Sequence, residues 1–188
     1  MNFELLQSFY KGCCTTAYEI YGAHLKNCGT NFTVYAPKAE KVQVIGEFNG
    51  WQGENHEMKR IDNNGTYNLF IPEAEENHMY KFRIFQKGGN ICDKSDPYAF
   101  YSELRPNTAS IITNLHNFEF TDEKWLSKRN KNFNNPVNIY ELHLGSWKKP
   151  EEKEFYTYAE IAEPLIEYLI QNNFTHIELM PLNEHPLD

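Results

Sequence analysis

Cysteine and long apolar runs are both scarce in this sequence, and each shortage excludes a class of protein. The cysteines are Cys13, Cys14, Cys28 and Cys92. Their spacing matches no zinc-binding pattern, and two adjacent cysteines are awkward partners for disulfides. No stretch approaches the ~18 apolar residues of a membrane-spanning helix, and residues 1–12 lack the basic segment and apolar run of a signal peptide. We therefore expect a cytoplasmic protein with reduced thiols, with no metal, no cofactor and no membrane partner.

Basic residues are outnumbered by acidic ones. The 188 residues include 18 Lys and Arg against 26 Asp and Glu, a formal net charge of −8. Nucleic-acid binding would favour a basic face, so we expect no nucleic-acid partner. A neutral ligand such as a polysaccharide stays open, because no electric field is needed to steer it. Hydrophobic residues make up 40% and aromatics 15%, which is enough for a core in one domain or in a domain plus part of a second.

Residues 42–51, with the sequence VQVIGEFNGW, form the most informative stretch. The side chains of its first half alternate, which predicts a strand half-buried on one face. Asn49 and Gly50 then predict a tight turn, because both residue types tolerate positive φ. The turn would place Trp51 at a loop tip, where an indole offers a flat apolar plate and one N–H donor. Such a plate suits the C–H face of a glucose ring; the alternative is that Trp51 folds back over the core.

Strand-like segments separated by turn residues recur up to residue 113. The clearest is YKFRIF at residues 80–85, in which two sets of side chains point alternately to opposite faces. Further strands are predicted at residues 32–35, 41–48, 66–71 and 109–113, with a strand or approach segment at 18–25 and a short helix at 3–10. The pattern predicts a mainly β fold, in which a helical segment (residues 1–14) precedes an immunoglobulin-like antiparallel β-sandwich (residues 15–115).

The pattern changes after residue 115. Residues 116–136 are rich in Asn and Lys and poor in apolar residues, which predicts a surface connector. Within residues 137–188, strands are predicted at 137–144 and 175–180, and a helical apolar stripe at 155–172 lies between them. Pro164 interrupts the stripe, so either the helix kinks there or a second helix begins at that proline. Strand, helix and strand of these lengths make a βαβ unit with a parallel strand pair.

Several motifs together are specific enough to indicate a family. The chain resembles the N-terminal part of the 1,4-alpha-glucan branching enzymes, which belong to the alpha-amylase superfamily and make glycogen. The segments that carry the resemblance run in the family's order and cover nearly the whole chain from residue 18 onward: AYEIYGAHL, FTVYAPKAEKVQVIGEFNGW, YKFRI, KSDPYAF, RPNTASI, NIYELHLGSW and FTHIELMPLNEHPLD. Related glucan-binding modules share FNGW, whereas the combination of DPYAF, YELHLGSW and ELMPLNEHP is highly specific.

The resemblance implies a glucan-binding β-sandwich followed by an incomplete (β/α)8 barrel, of which only the first βαβ unit is present. Such barrels usually need about 250 residues. The family's catalytic Asp, Glu and Asp lie on later strands, so no catalytic residue is expected in this chain, which would be inactive alone. The parent enzyme would transfer α-1,4-glucan chains to 6-hydroxyls.

The partner implied for the chain is an α-glucan such as glycogen or an amylose-like chain, and the chain would also pack against the remainder of the barrel. Two alternatives stay open. The chain could be a non-catalytic glycogen- or starch-binding module, or the N-terminal part of a related debranching or trehalose-releasing hydrolase.

The resemblance also assigns substrate-binding residues near the FNGW motif. Trp51 looks like the family's glucan-stacking tryptophan, and Gln52 and Gly53 would line the same groove. Lys81 corresponds to a sugar-bonding lysine of related modules; the alternative is a solvated strand lysine. Those modules carry a second tryptophan shortly after this strand, where this chain has QKGGN at residues 86–90. A sugar clamp made of two tryptophans is therefore not expected.

A second group of substrate-binding residues comes from other motifs. Asp96, Pro97, Tyr98 and Ala99 match a family segment that touches glucan, and a carboxylate can accept hydrogen bonds from two sugar hydroxyls. The alternative is a buried turn. His24 aligns with a further glucan-contacting position.

Four residues near the predicted barrel strands could be taken for catalytic groups. These are His143, Glu178, Glu184 and His185, which would lie near the strand ends where barrel enzymes hold substrate. Two carboxylates and a histidine do not define a glycosidase, which needs a measured carboxylate separation. We assign no catalytic role to them.

Overall fold

The computed structural model describes residues 2–183. They fall into two compact units, residues 2–120 and residues 121–183. In chain order, the first unit contains α1 (Phe3–Tyr10), β1 (Gly22–Lys26), β2 (Gly29–Tyr35), β3 (Ala39–Gly46), β4 (Lys59–Arg60), β5 (Thr66–Ile71), β6 (Met79–Gln86), β7 (Ile91–Lys94), β8 (Tyr101–Ser102) and β9 (Ser110–Ile111). The second unit contains α2 (Glu123–Leu126), β10 (Ile139–Leu142), α3 (Leu144–Trp147), α4 (Tyr158–Gln171) and β11 (His176–Leu179).

The first unit is built from two antiparallel sheets. The first sheet has the strand order β1-β2-β5-β4, and the second has the order β3-β6-β9-β8 with β7 also paired to β6. Their inner faces share one core, in which the rings of Phe32 and Tyr80 lie 5.0 Å apart. Other buried members of this core come from both sheets, namely Val34, Val42, Val44, Tyr67, Ile71 and Phe82. The mainly β, antiparallel fold class predicted for this region is confirmed.

Strand β3 differs from the half-buried strand predicted from its alternation. Gln43 and Ile45, on the face expected to meet solvent, are 4% and 1% exposed. One edge of β3 pairs with β6. At its other edge, the Val44 N–H donates to the His56 carbonyl and the Met58 N–H donates to the Val42 carbonyl. The loop that follows β3 therefore returns along the strand and covers it, so the prediction of a half-buried strand was wrong.

Helix α1 has the bounds predicted for it. The Asn2 side chain accepts hydrogen bonds from the backbone N–H groups of Glu4 and Leu5, the usual role of an N-cap residue. The buried Leu6 packs with Ala17, Ile20 and Tyr21 in a second, smaller core. A hydrogen bond from the Tyr10 hydroxyl to the Asp62 carboxylate joins the end of the helix to the turn between β4 and β5.

In the second unit, β10 and β11 pair in parallel and α4 lies between them in sequence. Thr157 and Glu160 form a reciprocal capping box at the start of α4. Pro164 lies inside this helix, which continues from Tyr158 to Gln171. The alternative of a second helix beginning at Pro164 was therefore wrong, since the chain accommodates one missing backbone donor within a single helix.

The boundaries of the second unit differ from the prediction in two further places. The connector is exposed, yet it includes the one-turn helix α2. Strand β10 ends at Leu142, before the predicted end at residue 144, because residues 144–147 turn into α3. All four cysteines are free thiols. Among the described residues, no helix combines the length and apolar character needed to cross a membrane.

Candidate functional site

The loop after β3 presents Trp51 to solvent. Gly50 and Trp51 both adopt left-handed backbone conformations, with φ of 59° and 62°, and the Trp51 N–H donates to the Gly46 carbonyl over 2.8 Å. A non-glycine residue in this region is uncommon and costs about 1–3 kcal/mol, and such strain concentrates at functional sites. Trp51 is 36% exposed, so its indole is neither sealed in the core nor fully extended into solvent.

The side chain of Asn49 holds this loop against β3. Its Oδ1 accepts from the Gly46 N–H (2.9 Å), its Nδ2 donates to the Val44 carbonyl (3.0 Å), and Nδ2 also lies 3.1 Å from His56 Nδ1. Asn49 itself belongs to a short 3-10 helix, Glu47–Asn49. A turn follows β3 and presents Trp51 as predicted, but it lies one residue later than expected: the positive φ values fall on Gly50 and Trp51, because the Asn49 amide bonds β3.

Gly53 lies directly on Gln43 of β3. A Cβ at position 53 would come within 2.6 Å of Gln43 Oε1 and 2.9 Å of Gln43 Cβ. Glycine therefore permits the close approach of the loop to the strand. Gln52, one residue earlier, is exposed and lines a neighbouring cavity of about 460 Å³ with Asn49 and His56.

A shallow groove of about 470 Å³ lies on the outer face of the second sheet, beside this loop. We call it the second-sheet groove; it is lined by Lys41, Gln43, Gly53, Glu54, Arg83, Phe85, Ile91 and Asp93. Strand pairing arranges most of these side chains in two rows across β3, β6 and β7. One row is Gln43, Arg83 and Asp93, and the other is Lys41, Phe85 and Ile91.

Paired charges line the second-sheet groove. The Arg83 guanidinium donates to both oxygens of Asp93 over 2.8 and 2.9 Å. This hydrogen bonding raises the pKa of Arg83 and lowers the pKa of Asp93, so both groups are charged at neutral pH. Lys41 pairs with Glu57 over 3.2 Å, and its Nζ also lies 4.8 Å from the centre of the Phe85 ring. The groove thus offers polar groups and an apolar strip, and its positive and negative side chains are equal in number.

Lys81 lies on the same strand as two groove residues, Arg83 and Phe85. Side chains two positions apart on a strand point to the same face, so Lys81 shares the face of the groove. Its Nζ donates to Thr108 Oγ1 over 2.9 Å. The lysine is therefore held by a neighbouring loop rather than fully solvated.

Asp96 lies in the interior rather than on the surface. The residue is 5% exposed, and its carboxylate accepts from the Tyr80 hydroxyl (2.6 Å) and the Tyr98 N–H (2.8 Å). Its own N–H donates to Ser110 Oγ over 2.8 Å. Burial raises the pKa of Asp96, although both hydrogen bonds to the carboxylate oppose that change. The observed role of this carboxylate is to fix the turn, as in the alternative interpretation of a buried turn.

The residues that come after Asp96 belong to the same turn. The Ala99 N–H donates to the Asp96 carbonyl over 3.2 Å, and Pro97 is exposed. The Tyr98 ring stacks on Tyr21 with 5.3 Å between ring centres. None of residues 96–99 lines the second-sheet groove or the cavity beside Gln52.

His24 lies on the other sheet. Its Nε2 is 3.1 Å from the Tyr21 carbonyl, its ring meets Phe100 edge-on at 5.9 Å, and burial lowers its pKa. The structure therefore divides the predicted binding residues among three places. Trp51, Gln52, Gly53 and Lys81 belong to the second sheet and its loop, residues 96–99 form a structural turn, and His24 faces the first sheet.

Two of the four residues considered for catalysis, His143 and Glu178, lie within the described part of the chain. His143 Nδ1 lies 3.0 Å from Ser146 Oγ in its own turn, and Glu178 is exposed on β11 beside Glu141 of β10. Glu184 and His185 lie outside the described residues.

The sequence analysis did not identify most of the residues that line the second-sheet groove. Arg83 and Phe85 could have been found, because the alternation of β6 places them on the face of Lys81. Asp93 and Ile91 depend on β7, which carries no clear alternation and was not predicted.

Comparisons with known proteins show which proteins this chain resembles in sequence and in fold. Residues 20–99 match carbohydrate-binding module 48, the isoamylase N-terminal domain. The chain is 49% identical over 186 residues to the 1,4-alpha-glucan branching enzyme GlgB of Geobacillus stearothermophilus, covering 96% of this chain and 29% of that protein. It is 45% identical over 186 residues to GlgB of Bacillus subtilis strain 168, covering 96% of this chain and 30% of that protein. The chain thus spans about three tenths of the length of these relatives.

Solved structures show the same fold. A pullulanase from Bacillus acidopullulyticus has a TM-score of 0.65 and 24% identity, covering 89% of this chain and 22% of that chain. The pullulanase SAP of Group B Streptococcus, solved in complex with maltotetraose, has a TM-score of 0.65 and 18% identity, covering 88% of this chain and 24% of that chain. Residues 20–99 thus match carbohydrate-binding module 48, and nearly the whole chain is similar in sequence to part of the 1,4-alpha-glucan branching enzymes.

Proposed function

We propose that this chain binds α-1,4-linked glucan at the Trp51 loop and the second-sheet groove. The observation that carries the proposal is Trp51 itself: its indole is partly exposed, its backbone is left-handed, and its loop lies beside a groove of balanced charge. An aromatic face packs against the C–H face of a sugar ring, and it loses little conformational entropy on binding because the loop is already fixed.

The groove would supply the hydrogen bonds that a sugar requires. Gln43, Glu54 and the Arg83–Asp93 pair offer both donors and acceptors around the sugar hydroxyls. Phe85 and Ile91 provide an apolar strip on either side of residues 86–90, the segment in which the resemblance would place a second tryptophan. Glucan is uncharged, which suits a groove in which basic side chains are matched by acidic ones.

We further propose that the chain acts as the N-terminal part of a 1,4-alpha-glucan branching enzyme in the cytoplasm. Residues 1–14 would be a helical segment, 15–115 the glucan-binding domain, 116–136 a connector, and 137–188 the first βαβ unit of the catalytic (β/α)8 barrel. The parallel pair β10–β11 with α4 between them supports this last assignment. This unit would pack against the remainder of the barrel.

The chemistry of the parent enzyme would be carried out by residues outside this chain. An aspartate would attack the anomeric carbon of an α-1,4 bond, which breaks as the acid/base glutamate protonates the departing 4-oxygen, and a covalent glucosyl–aspartate forms. A 6-hydroxyl, deprotonated by the same glutamate, would then displace the aspartate, with net retention of configuration. The contribution of this chain would be to hold glucan near that barrel.

Trp51→Ala tests the proposal. We expect the variant to bind maltoheptaose about tenfold more weakly and to migrate faster than wild type in glycogen-containing native gels, because the sugar loses its aromatic plate. Trp125→Ala is the matched control, since Trp125 is exposed in α2 and belongs to the other unit. Equal retardation of the Trp51→Ala and Trp125→Ala variants, or no retardation of the wild type, would contradict the proposal.

A further inference from the structure

Two neighbouring cysteines, Cys13 and Cys14, lie just after the end of helix α1, and their side chains have different surroundings. Cys13 is exposed, whereas Cys14 is half-buried. Cys14 packs against the second, smaller core, alongside Leu5, Phe9 and Tyr10 of α1. One thiol therefore faces solvent, while the other belongs to the contact that holds α1 against the sandwich.

Backbone hydrogen bonds at the end of α1 hold Cys13 in place. The Cys13 N–H donates to the Ser8 carbonyl over 3.0 Å, and the Gly12 N–H donates to the Phe9 carbonyl over 2.9 Å. Because Gly12 is in the left-handed conformation, with a φ of 71°, these two bonds make a Schellman motif. The helix end thus fixes the backbone of Cys13, while the side chain of Cys14 is fixed by the core.

A disulfide between these two neighbours does not fit this arrangement. Consecutive Cα atoms lie about 3.8 Å apart across a trans peptide, whereas the Cα atoms of a disulfide are usually about 4.4–6.8 Å apart. The two sulfurs would also have to approach to about 2.05 Å. Cys14 must therefore leave the second core, or the backbone of Cys13 must leave the Schellman motif. Either change loosens the end of α1.

We propose that Cys13 and Cys14 form a redox-sensitive modification site, at which a vicinal disulfide and the docking of α1 exclude each other. In the reduced chain α1 is docked, and in the oxidised chain its C-terminal end is released. A strained disulfide is readily reduced again, which is typical of regulatory rather than structural disulfides. The site functions in this way whether or not the chain binds glucan.

The oxidant is a small disulfide of the glutathione class. The Cys13 thiolate attacks one sulfur of this disulfide, which forms a mixed disulfide on Cys13 and expels one small thiol. The Cys14 thiolate then attacks the Cys13 sulfur and expels the second small thiol. The two cysteines lose two electrons and two protons in total, and the small disulfide gains them as it becomes two thiols. Exposure assigns the first step to Cys13, and the second step requires release of Cys14.

Docking of α1 and oxidation are then coupled in both directions. If the disulfide loosens α1 by some factor, a substitution that loosens α1 favours the disulfide by the corresponding factor. Leu6 is the buried side chain that α1 contributes to the second core, and the Tyr10 hydroxyl donates to Asp62. Substitutions of Leu6 and Tyr10 therefore weaken docking without removing a thiol. Phe3 is 68% exposed on the same helix and provides the matched control.

The test uses the full 188-residue chain with Cys28→Ser and Cys92→Ser, so that the vicinal pair holds the remaining thiols. The protein is equilibrated with increasing oxidised glutathione at a fixed concentration of reduced glutathione, quenched in acid and weighed by mass spectrometry. We expect a species that is lighter by two hydrogens. Leu6→Ala should lower the oxidised glutathione needed for half conversion at least about tenfold and Tyr10→Phe about fivefold. Phe3→Ala should leave it unchanged.

Hydrogen exchange measures the same coupling from the side of the helix. We expect the amides of residues 6–13 to exchange at least about tenfold faster in the oxidised than in the reduced chain, and the amides of β3 and β6 to be unaffected. Reduction with dithiothreitol should restore the slow exchange. Protection of β3 and β6 also reports whether Leu6→Ala is folded; if it is not, Tyr10→Phe, which keeps the ring, decides the test.

Cys14→Ala distinguishes a switch from an ordinary exposed thiol. This variant can gain one glutathione at Cys13 but cannot form the disulfide, and its α1 amides should keep their protection. Three results would each overturn the proposal: a vicinal pair that gains glutathione but never loses two hydrogens, a disulfide that leaves α1 exchange unchanged, or the same glutathione dependence for Leu6→Ala, Tyr10→Phe and Phe3→Ala.

Discussion

At the scale of single residues, Asn49 decides whether Trp51 can serve as a binding platform. Its amide bonds the two backbone groups at the end of β3 and approaches His56 on the returning side of the loop. Buried hydrogen bonds of this kind are costly to lose, because the partner groups stay desolvated. The glucan-binding face therefore depends on a side chain that does not itself have to touch sugar.

Asn49→Asp tests the donor role of this amide separately from its acceptor role. The variant keeps an acceptor for the Gly46 N–H but loses the donor to the Val44 carbonyl. We expect it to lower the free energy of unfolding by about 1–3 kcal/mol in urea titrations, and to weaken maltoheptaose binding in calorimetry. Asn55→Asp is the control, because Asn55 is exposed in the same loop and its side chain makes no hydrogen bond among the described residues. If the two variants behave alike, Asn49 does not hold the loop.

Asp96 shows why residue type alone misleads. The family resemblance implied a sugar contact for Asp96, with a buried turn as the alternative, and a carboxylate is usually at the surface. Its burial depends on Tyr80 and Ser110, which come from β6 and β9. Neither partner could be assigned to Asp96 before the sheets were assembled.

At the scale of elements, α1 is joined to the sandwich through the turn at Asp62. Asp62 Oδ1 accepts from the N–H groups of Asn64 (2.8 Å), Gly65 (2.9 Å) and Thr66 (3.2 Å), while Oδ2 accepts from the Tyr10 hydroxyl. One carboxylate therefore closes the β4–β5 turn and holds the C-terminal end of α1.

This arrangement predicts an acid-sensitive contribution to stability. Partial burial would raise the pKa of Asp62, but the hydrogen bonds from Tyr10 and the turn N–H groups outweigh it and lower the pKa below its ordinary value of 3.8. The unfolded chain then binds more protons than the folded one, so the contribution is present above pH 3.8 and is lost as the pH falls through the lowered folded value.

Asp62→Asn should remove that contribution. We expect the free energy of unfolding of wild type to exceed that of the variant at pH 7, with the difference narrowing steadily below about pH 4. Urea titrations between pH 7 and pH 2.5 measure this difference, and hydrogen exchange of α1 reports whether the helix loosens. A difference that stays constant over the whole range would contradict the prediction.

The local sequence pattern predicted single helices and strands well, but it did not predict that a loop covers β3. The bounds of α1 and β5 match the prediction, because each has a complete amphipathic or alternating run with a turn at its end. The burial of Gln43 and Ile45 was not predictable, because it comes from a loop that returns along the strand. The capping box of α4 could have been found from its Thr-x-x-Glu spacing.

At the scale of the whole molecule, the two units differ in how many apolar side chains they bury. The first unit contains an extended core of residues that solvent does not reach. In the described part of the second unit, the buried apolar side chains are Leu142, Ile161 and Leu165, and every residue of β11 is exposed. A small core and open strand edges give little protection against local opening.

Hydrogen exchange should therefore divide the chain at the boundary between the units. We expect the amides of β10 and β11 to exchange at least about 100-fold faster than those of β3 and β6, because a locally opened state there exposes less apolar surface. Mass spectrometry of deuterated peptides measures this directly. Uniformly slow exchange across both regions in a monomer would contradict the prediction.

The left-handed backbone of Trp51 has a consequence for how position 51 can change. Glycine and asparagine tolerate that conformation at lower cost than tryptophan does. A saturation library at this position would therefore enrich glycine and asparagine when sorted for heat resistance, and aromatic residues when sorted for retention on immobilised glycogen. The protein would then keep tryptophan there at the expense of its own stability.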